Sequence, residues 1–218
     1  MEAERQDNEG YRRFREAMHE GKLTPGMVVT QNELCDLLGI SLSPLRETLV
    51  LLEEFGLVEI KPRTGIRIVY PEVAFIRENY QFRIMMEVFA MRAFAEVVKP
   101  EWLADMRKRH EDCRALLIAD TPFEEARAVV VALDRQFHRN IVQSLDNRAI
   151  LATHARIQDN LNMARRVHQS GFIRSQLIST MDEHLRVLES LEKRDTDGAI
   201  ANLEAHFRAS THRTFAAG

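Results

Sequence analysis

The chain has 218 residues, 45% hydrophobic and 29% charged, with a formal net charge of -3. That length admits one large domain or two small ones, and an acidic total argues against a general polyanion binder, whose affinity rests on phosphate contacts. No apolar run approaches the ~18 residues that span a bilayer, and two cysteines, Cys35 and Cys113, make neither a disulfide scaffold nor a cysteine-rich zinc site, so a reducing cytoplasm fits.

The acidic stretch Met1 to Gly10 is not a secretory signal. From about Asn8 to Glu20, Tyr11, Phe14 and Met18 recur at helical spacing and predict a first helix. Lys22 to Gly26 is a turn by composition. Thr30 to Val58 then carries two amphipathic segments around a Gly39-Ile40-Ser41 turn. Leu34, Leu37 and Leu38 stripe the first, and Leu45, Leu49, Leu52 and Phe55 the second. This is the pattern of a helix-turn-helix, whose second helix enters the major groove of DNA. Ser43 is expected to cap that helix, with Pro44 at its first position. Ser41 and Ser43 at the turn and Arg46 near the helix N-terminus are then candidate DNA contacts, as is Asn32 on the preceding helix.

After Gly56 the apolar period becomes two. Val58 and Ile60 precede Pro62-Arg63-Thr64-Gly65, and Ile66 and Ile68 follow it, which predicts a β-hairpin. The order of elements makes a winged helix, with Arg63, Thr64 and Gly65 at a tip suited to the minor groove or the backbone. Arg12, Arg13 and Arg15 before the hairpin, and Lys61, Arg63 and Arg67 after it, would supply locally the positive charge that the whole chain lacks.

Tyr70-Pro71-Glu72 reads as a linker, because proline disfavours helix in the residue before it. Residues 1–70 are therefore predicted as a winged helix-turn-helix DNA-binding domain and 71–218 as an all-α bundle, a mainly α protein overall. Six helices are expected after the linker. The first runs from about Val73 to Val98, with Phe75, Phe82, Met85, Phe89 and Phe94 as core, and the second from Pro100 to Ala119. The third is opened by a capping box at Thr121-Pro122-Phe123-Glu124. The rest cover about Asn147 to His168, Phe172 to Lys193 and Asp197 to Thr214.

Three of the eight histidines sit on or beside apolar faces. Asp134 and His138 are four apart and project from one side of the third bundle helix. His184 lies in the stripe Leu177, Met181, His184, Leu188, and His206 adjoins Leu203 and Phe207. The break at Asp195-Thr196-Asp197 lies about midway between His184 and His206, so a helical hairpin returns both to one level. Three imidazoles and a carboxylate facing one interior can hold a divalent transition metal: zinc first, with nickel or manganese as alternatives. The other reading is a set of hydrogen-bonded core groups. His19, His110, His154, His168 and His212 lack such a constellation and are expected mostly at the surface. No H-E-x-x-H, G-x-S-x-G or P-loop is present. The chain is therefore not expected to be an enzyme; a metal-dependent hydrolase in the helical part, without an evident general base, is the alternative.

These residues resemble the GntR family of bacterial transcription regulators. Gly21-Lys22-Leu23-Thr24-Pro25-Gly26, Glu33-Leu34 through Ser41, Ser43-Pro44-Leu45-Arg46-Glu47-Thr48-Leu49 and Glu54-Phe55-Gly56-Leu57-Val58 are similar to its DNA-binding segments. The helical part is similar to the FCD effector domain of the FadR subfamily, and Asp134, His138, His184 and His206 match that domain's metal-ligand positions. The resemblance implies a homodimer on palindromic operator DNA, controlled by a small organic acid near the metal. Arg83 resembles a position that often carries arginine and would neutralise the acid; Arg165 and Arg166 are further candidates. Asn32 and Leu42 stand where the family usually has arginine. Since arginine prefers guanine and asparagine adenine, an operator richer in A·T is expected.

Overall fold

The computed structural model describes residues 9–69, 73–119, 121–167 and 173–215. The expected linker at Tyr70-Pro71-Glu72, His168, and the side chains of His19 and Arg166 lie outside the described residues. The molecule is mainly helical, with a helix-turn-helix and a small sheet followed by a helical bundle.

Helix α1 (Glu9–His19) buries Tyr11, Phe14 and Ala17. It crosses close to the recognition helix at Gly10, where a β-carbon would collide with the Thr48 side chain. Helix α2 (Gln31–Leu38) starts from a complete capping box: the Glu33 amide donates to Thr30 Oγ1 at 3.2 Å, and Glu33 Oε2 accepts from the Thr30 amide at 2.7 Å. It stops at Gly39, whose φ of 61° is a left-handed turn open to glycine at little cost. Helix α3 (Leu42–Glu54) begins two residues earlier than expected. Ser41, not Ser43, is its N-cap residue, without a side-chain cap bond, and Ser43 and Pro44 fall within the first turn, where proline removes no helical bond.

Strands β1 (Val28–Val29), β2 (Val58–Lys61) and β3 (Gly65–Ile68) form an antiparallel sheet in the order β1-β3-β2. Val29 pairs with Ile66, and Val58 with Ile68. The hairpin β2–β3 is the expected wing; β1, two residues long, is too short to show a period in sequence. Leu34, Leu45, Leu52, Ile66 and Ile68 close a core under these elements.

Among the described residues six further helices make the bundle: α4 (Val73–Val97), α5 (Pro100–Ile118), α6 (Phe123–Gln143), α7 (Arg148–Val167), α8 (Arg174–Glu192) and α9 (Thr196–Phe215). Two expectations are corrected here. Pro122 is the N-cap residue of α6, no side chain caps the helix, and Glu124 pairs with Arg127 instead of closing a box with Thr121. On α4, Phe82, Met85 and Phe89 are exposed, at 41%, 61% and 66%, while Tyr80, Arg83, Glu87, Ala90 and Phe94 face inward. The helical period allows only one of these two stripes into the core. The inward one carries an internally neutralised Arg83–Glu87 pair that serves the histidines of the bundle.

The N-terminal unit and the bundle meet on a buried carboxylate. Asp159 on α7 accepts from Tyr11 Oη at 3.1 Å and pairs with Arg15 at 2.9 Å, both on α1, and with Arg135 on α6. The Arg156 guanidinium lies 4.9 Å from the Phe55 ring centre, and Phe75 packs on the N-terminal core. Replacing Asp159 by Asn removes the charge on which three side chains converge. Hydrogen exchange should then speed up across Glu9–His19 by about tenfold, with α8 and α9 unchanged; equal protection of α1 in both proteins would show that this junction does not hold it.

Candidate functional site

The face expected to read DNA is open. Asn32, Ser41, Leu42, Ser43 and Arg46 are exposed at the start of α2 and α3, and Arg63 and Thr64 are exposed at the wing tip beside Gly65. Most of the flanking basic residues are engaged elsewhere. Arg12 pairs with Glu16, and Arg13 with Glu9 and the carbonyls of Leu38 and Gly39. Arg15 pairs with Asp159, and Lys61 and Arg67 pair with Glu59. Among the described residues Arg46 and Arg63 make no ion pair, so the free positive charge is concentrated on the recognition helix and the wing.

The second site lies inside the bundle. Asp134 and His138 on α6, His184 on α8 and His206 on α9 bring one ligand atom each to within 4.8 Å of one another. His138 Nε2 and His184 Nε2 are each 3.7 Å from Asp134 Oδ1. The rings of His184 and His206 are 4.6 Å apart, so the hairpin does return them to one level.

The opposite nitrogen of each ring is anchored. His138 Nδ1 is 2.5 Å from Glu87, His206 Nδ1 is 2.8 Å from Glu183, and His184 Nδ1 is 3.1 Å from His110 Nε2. A carboxylate accepts, so His138 and His206 carry their protons on Nδ1. The His110 case follows from its own backbone contact. His110 Nδ1 lies 2.7 Å from the Met106 carbonyl, which can only accept. Neutral His110 therefore presents a lone pair at Nε2, and His184 must donate its Nδ1 proton to it.

In the neutral rings all three Nε2 atoms are thus lone pairs, and among the described residues all three are buried without a hydrogen-bond partner. Burial pushes His206 and His110 down to about 4 and His184 well below its ordinary value, favouring the neutral imidazole that coordinates. Three neutral imidazole nitrogens and one carboxylate oxygen, each imidazole oriented by a partner on its far side, fit a divalent transition metal.

A cavity of about 30 Å³ adjoins these ligands, lined among others by Asp134, His206, Arg165, Arg213, Ser210 and Thr214. Arg83 is not among its lining residues. It lies on the Nδ1 side of His138, where its Nε donates to Glu87 at 2.7 Å and its guanidinium sits 4.9 Å from the Phe207 ring centre. His110 and His154, expected at the surface, are buried, His154 with Nε2 2.8 Å from Glu87. Both fall in legible inward rows, Leu103-Met106-His110-Cys113-Leu117 and His154-Ile157-Leu161. Only His212 of that group is exposed among those whose side chains are described.

Two family models match the chain. Residues 8–68 match the bacterial regulatory proteins of the gntR family, and residues 78–209 match the FCD domain. The chain belongs to the gntR family, in its FCD-domain form. The HTH-type transcriptional regulator YdhC of Bacillus subtilis is 26% identical over 197 residues, covering 90% of this chain and 85% of that protein. The structure of E. coli McbR/YncC superposes with a TM-score of 0.71 at 16% identity, over 91% of this chain and 92% of that one. The Zn2+-bound FCD domain of TM0439 superposes with a TM-score of 0.53 at 23% identity, over 66% of this chain and 94% of that one. These families and relatives are transcriptional regulators rather than enzymes, which sets the hydrolase alternative aside. This gntR-family chain is a DNA-binding transcriptional regulator, and no described helix is long and apolar enough to cross a membrane.

Proposed function

We propose that this protein is a ligand-responsive, metal-containing regulator of the FadR type, acting in the cytoplasm as a homodimer that represses or activates genes at a palindromic operator. The observation that carries the effector half of this reading is the trio of buried, partnerless Nε2 atoms around Asp134. Asp134, His138, His184 and His206 would hold the ion, with zinc the first choice and nickel or manganese behind it. When bound, the ion supplies a Lewis-acidic anchor for the carboxylate of a small acid. Glu87, His110 and Glu183 orient the ligating rings, and Arg83 holds Glu87 in place as a carboxylate.

Asn32, Ser41, Ser43 and Arg46 face the major groove in this reading, and Arg63, Thr64 and Gly65 the backbone or minor groove. The second copy is placed on the exposed apolar stripe of α4, Phe82, Met85 and Phe89. Three large apolar side chains along one helix face form the kind of patch that marks an interface. A palindromic operator requires two reading heads in fixed register.

Four outcomes are expected. Phe89→Asp should shift the sedimenting species from dimer to monomer; an unshifted dimer would move the interface off this stripe. Arg46→Ala should weaken operator binding by about 1–3 kcal/mol, and selection from random duplexes should return half-sites rich in A·T where Asn32 reads. Unchanged affinity, or recovery of the ordinary guanine-containing family half-site, would refute the assigned reading head. The paired change His184→Ala and His206→Ala should abolish zinc binding in dialysis followed by metal analysis; full occupancy in that variant would disprove the ligand set.

A further inference from the structure

A second cavity, of about 460 Å³, lies where the DNA-binding unit meets the bundle. The one beside the metal-ligand cluster holds about 30 Å³. Sites for organic ligands usually enclose about 300–1,000 Å³, so of the two it is the seam that has room for a sizeable apolar body.

Its walls come from both units. Phe14 and Met18 on α1 and Leu57 ahead of β2 close one side, and Ala128, Val131 and Ala132 on α6 close the other. Ala128 and Ala132 are one helical turn apart and so share the α6 face turned to α1, where both remain exposed. Two methyl groups stand there where larger side chains would fill the space between the units. No residue of the metal-ligand set lines this cavity.

The charges at its edge do not balance. Arg12 pairs with Glu16 at 2.7 Å and Arg127 with Glu124, one carboxylate to each guanidinium. Arg15 of α1 and Arg135 of α6 instead share Asp159, and both reach the same oxygen, Oδ1; the other, Oδ2, accepts from Tyr11. Among the described residues neither arginine pairs with a second carboxylate. One negative charge thus serves two guanidiniums, and one positive charge is left over beside an apolar space. Both arginines are partly exposed, so a solute can reach them. Aromatic rings suit the remaining surface, since a guanidinium stacks on a ring face and a thioether such as that of Met18 packs against a ring.

We propose that the seam is a second ligand site, for an aromatic monoanion whose rings lie on Phe14, Met18 and Val131 and whose charge meets Arg15 and Arg135. It stands independently of the metal reading. The occupant would touch α1, which crosses the recognition helix, and α6, which carries Asp134 and His138, and so lie between the reading head and the metal-ligand cluster.

The test uses the full-length protein and two naphthalene probes, 2-naphthalenesulfonate and the neutral 2-naphthalenemethanol, titrated by calorimetry, with hydrogen exchange locating the bound anion. A sulfonate is a poor ligand for zinc, which keeps the probe off the metal-ligand cluster. The sulfonate is expected to bind about fivefold more tightly than the alcohol, as one partly exposed charge allows, and to slow exchange in Glu9–His19 and Phe123–Gln143. The paired change Ala128→Phe and Ala132→Phe fills the cavity and should weaken sulfonate binding by roughly tenfold or more. Arg135→Met leaves one carboxylate to one guanidinium and should bring the two probes within about twofold of each other. Should that variant fail to fold, Arg15→Met removes the same surplus charge from the other unit and is read in the same way. Equal binding of the two probes by the wild type, or binding of neither, overturns the proposal. So does protection over Val73–Val97, which would put the anion on the exposed stripe of α4, or over Arg174–Glu192 and Thr196–Phe215, which would put it inside the bundle. Full affinity in the alanine-to-phenylalanine variant overturns it as well, and a preference that survives in Arg135→Met refutes the assigned charge contact.

Discussion

The bundle interior depends on the direction of three hydrogen bonds. Each imidazole of the cluster gives its Nδ1 proton away from the centre, to Glu87, to Glu183 or to the His110 ring, and so turns a lone pair toward Asp134. Reversing any one of them would put an N–H where a ligand atom is needed. Two of the acceptors are carboxylates tied to arginines, which keeps them charged in a dry interior. The third is a histidine whose orientation derives from a backbone carbonyl one helical turn away, at Met106. Helix geometry thereby fixes a side-chain tautomer, and the tautomer fixes a donor atom.

The same helix that carries this centre also touches the DNA-binding unit. Asp134 and Arg135 are consecutive on α6; the first faces the imidazoles, and the second reaches Asp159, which Tyr11 and Arg15 share from α1. Helix α1 in turn lies against the recognition helix at the Gly10–Thr48 crossing. Packed and charged contacts therefore run without a break from α6 to the reading head. Allostery needs such a contact to differ in energy between two arrangements of the units. A buried carboxylate shared by three partners is suited to that, because its interactions change steeply with distance.

Much of this was legible in the chain. Apolar period, the Gly39 turn and the Pro/Gly hairpin specified the winged helix, while spacing put Asp134 with His138 and His184 with His206 on one level each, and only the family resemblance joined the two pairs. Besides the Ser43 cap, three readings differ from the structure for physical reasons. Phe82, Met85 and Phe89 looked like core because hydrophobicity was followed instead of the single face a helix can bury. Thr121 has the pattern of a capping box without its hydrogen bonds, while the box that forms is Thr30 with Glu33. His110 and His154 looked superficial because imidazole is polar, although both occupy positions of an inward row.

The sequence by itself determined the mainly helical class, the helix-turn-helix with its wing, and the pairing of Asp134 with His138 and of His184 with His206, since these follow from local periods and short-range spacing. Tertiary structure alone decided what surrounds them. Glu87, His110 and Glu183 come to the rings across gaps of 51, 74 and 23 residues, Asp159 comes to Tyr11 across 148, and Arg83 and Arg213 find carboxylates in Glu87 and Glu183. Pairings of that kind depend on how whole helices dock and which charges remain after docking, and no local pattern encodes the remainder.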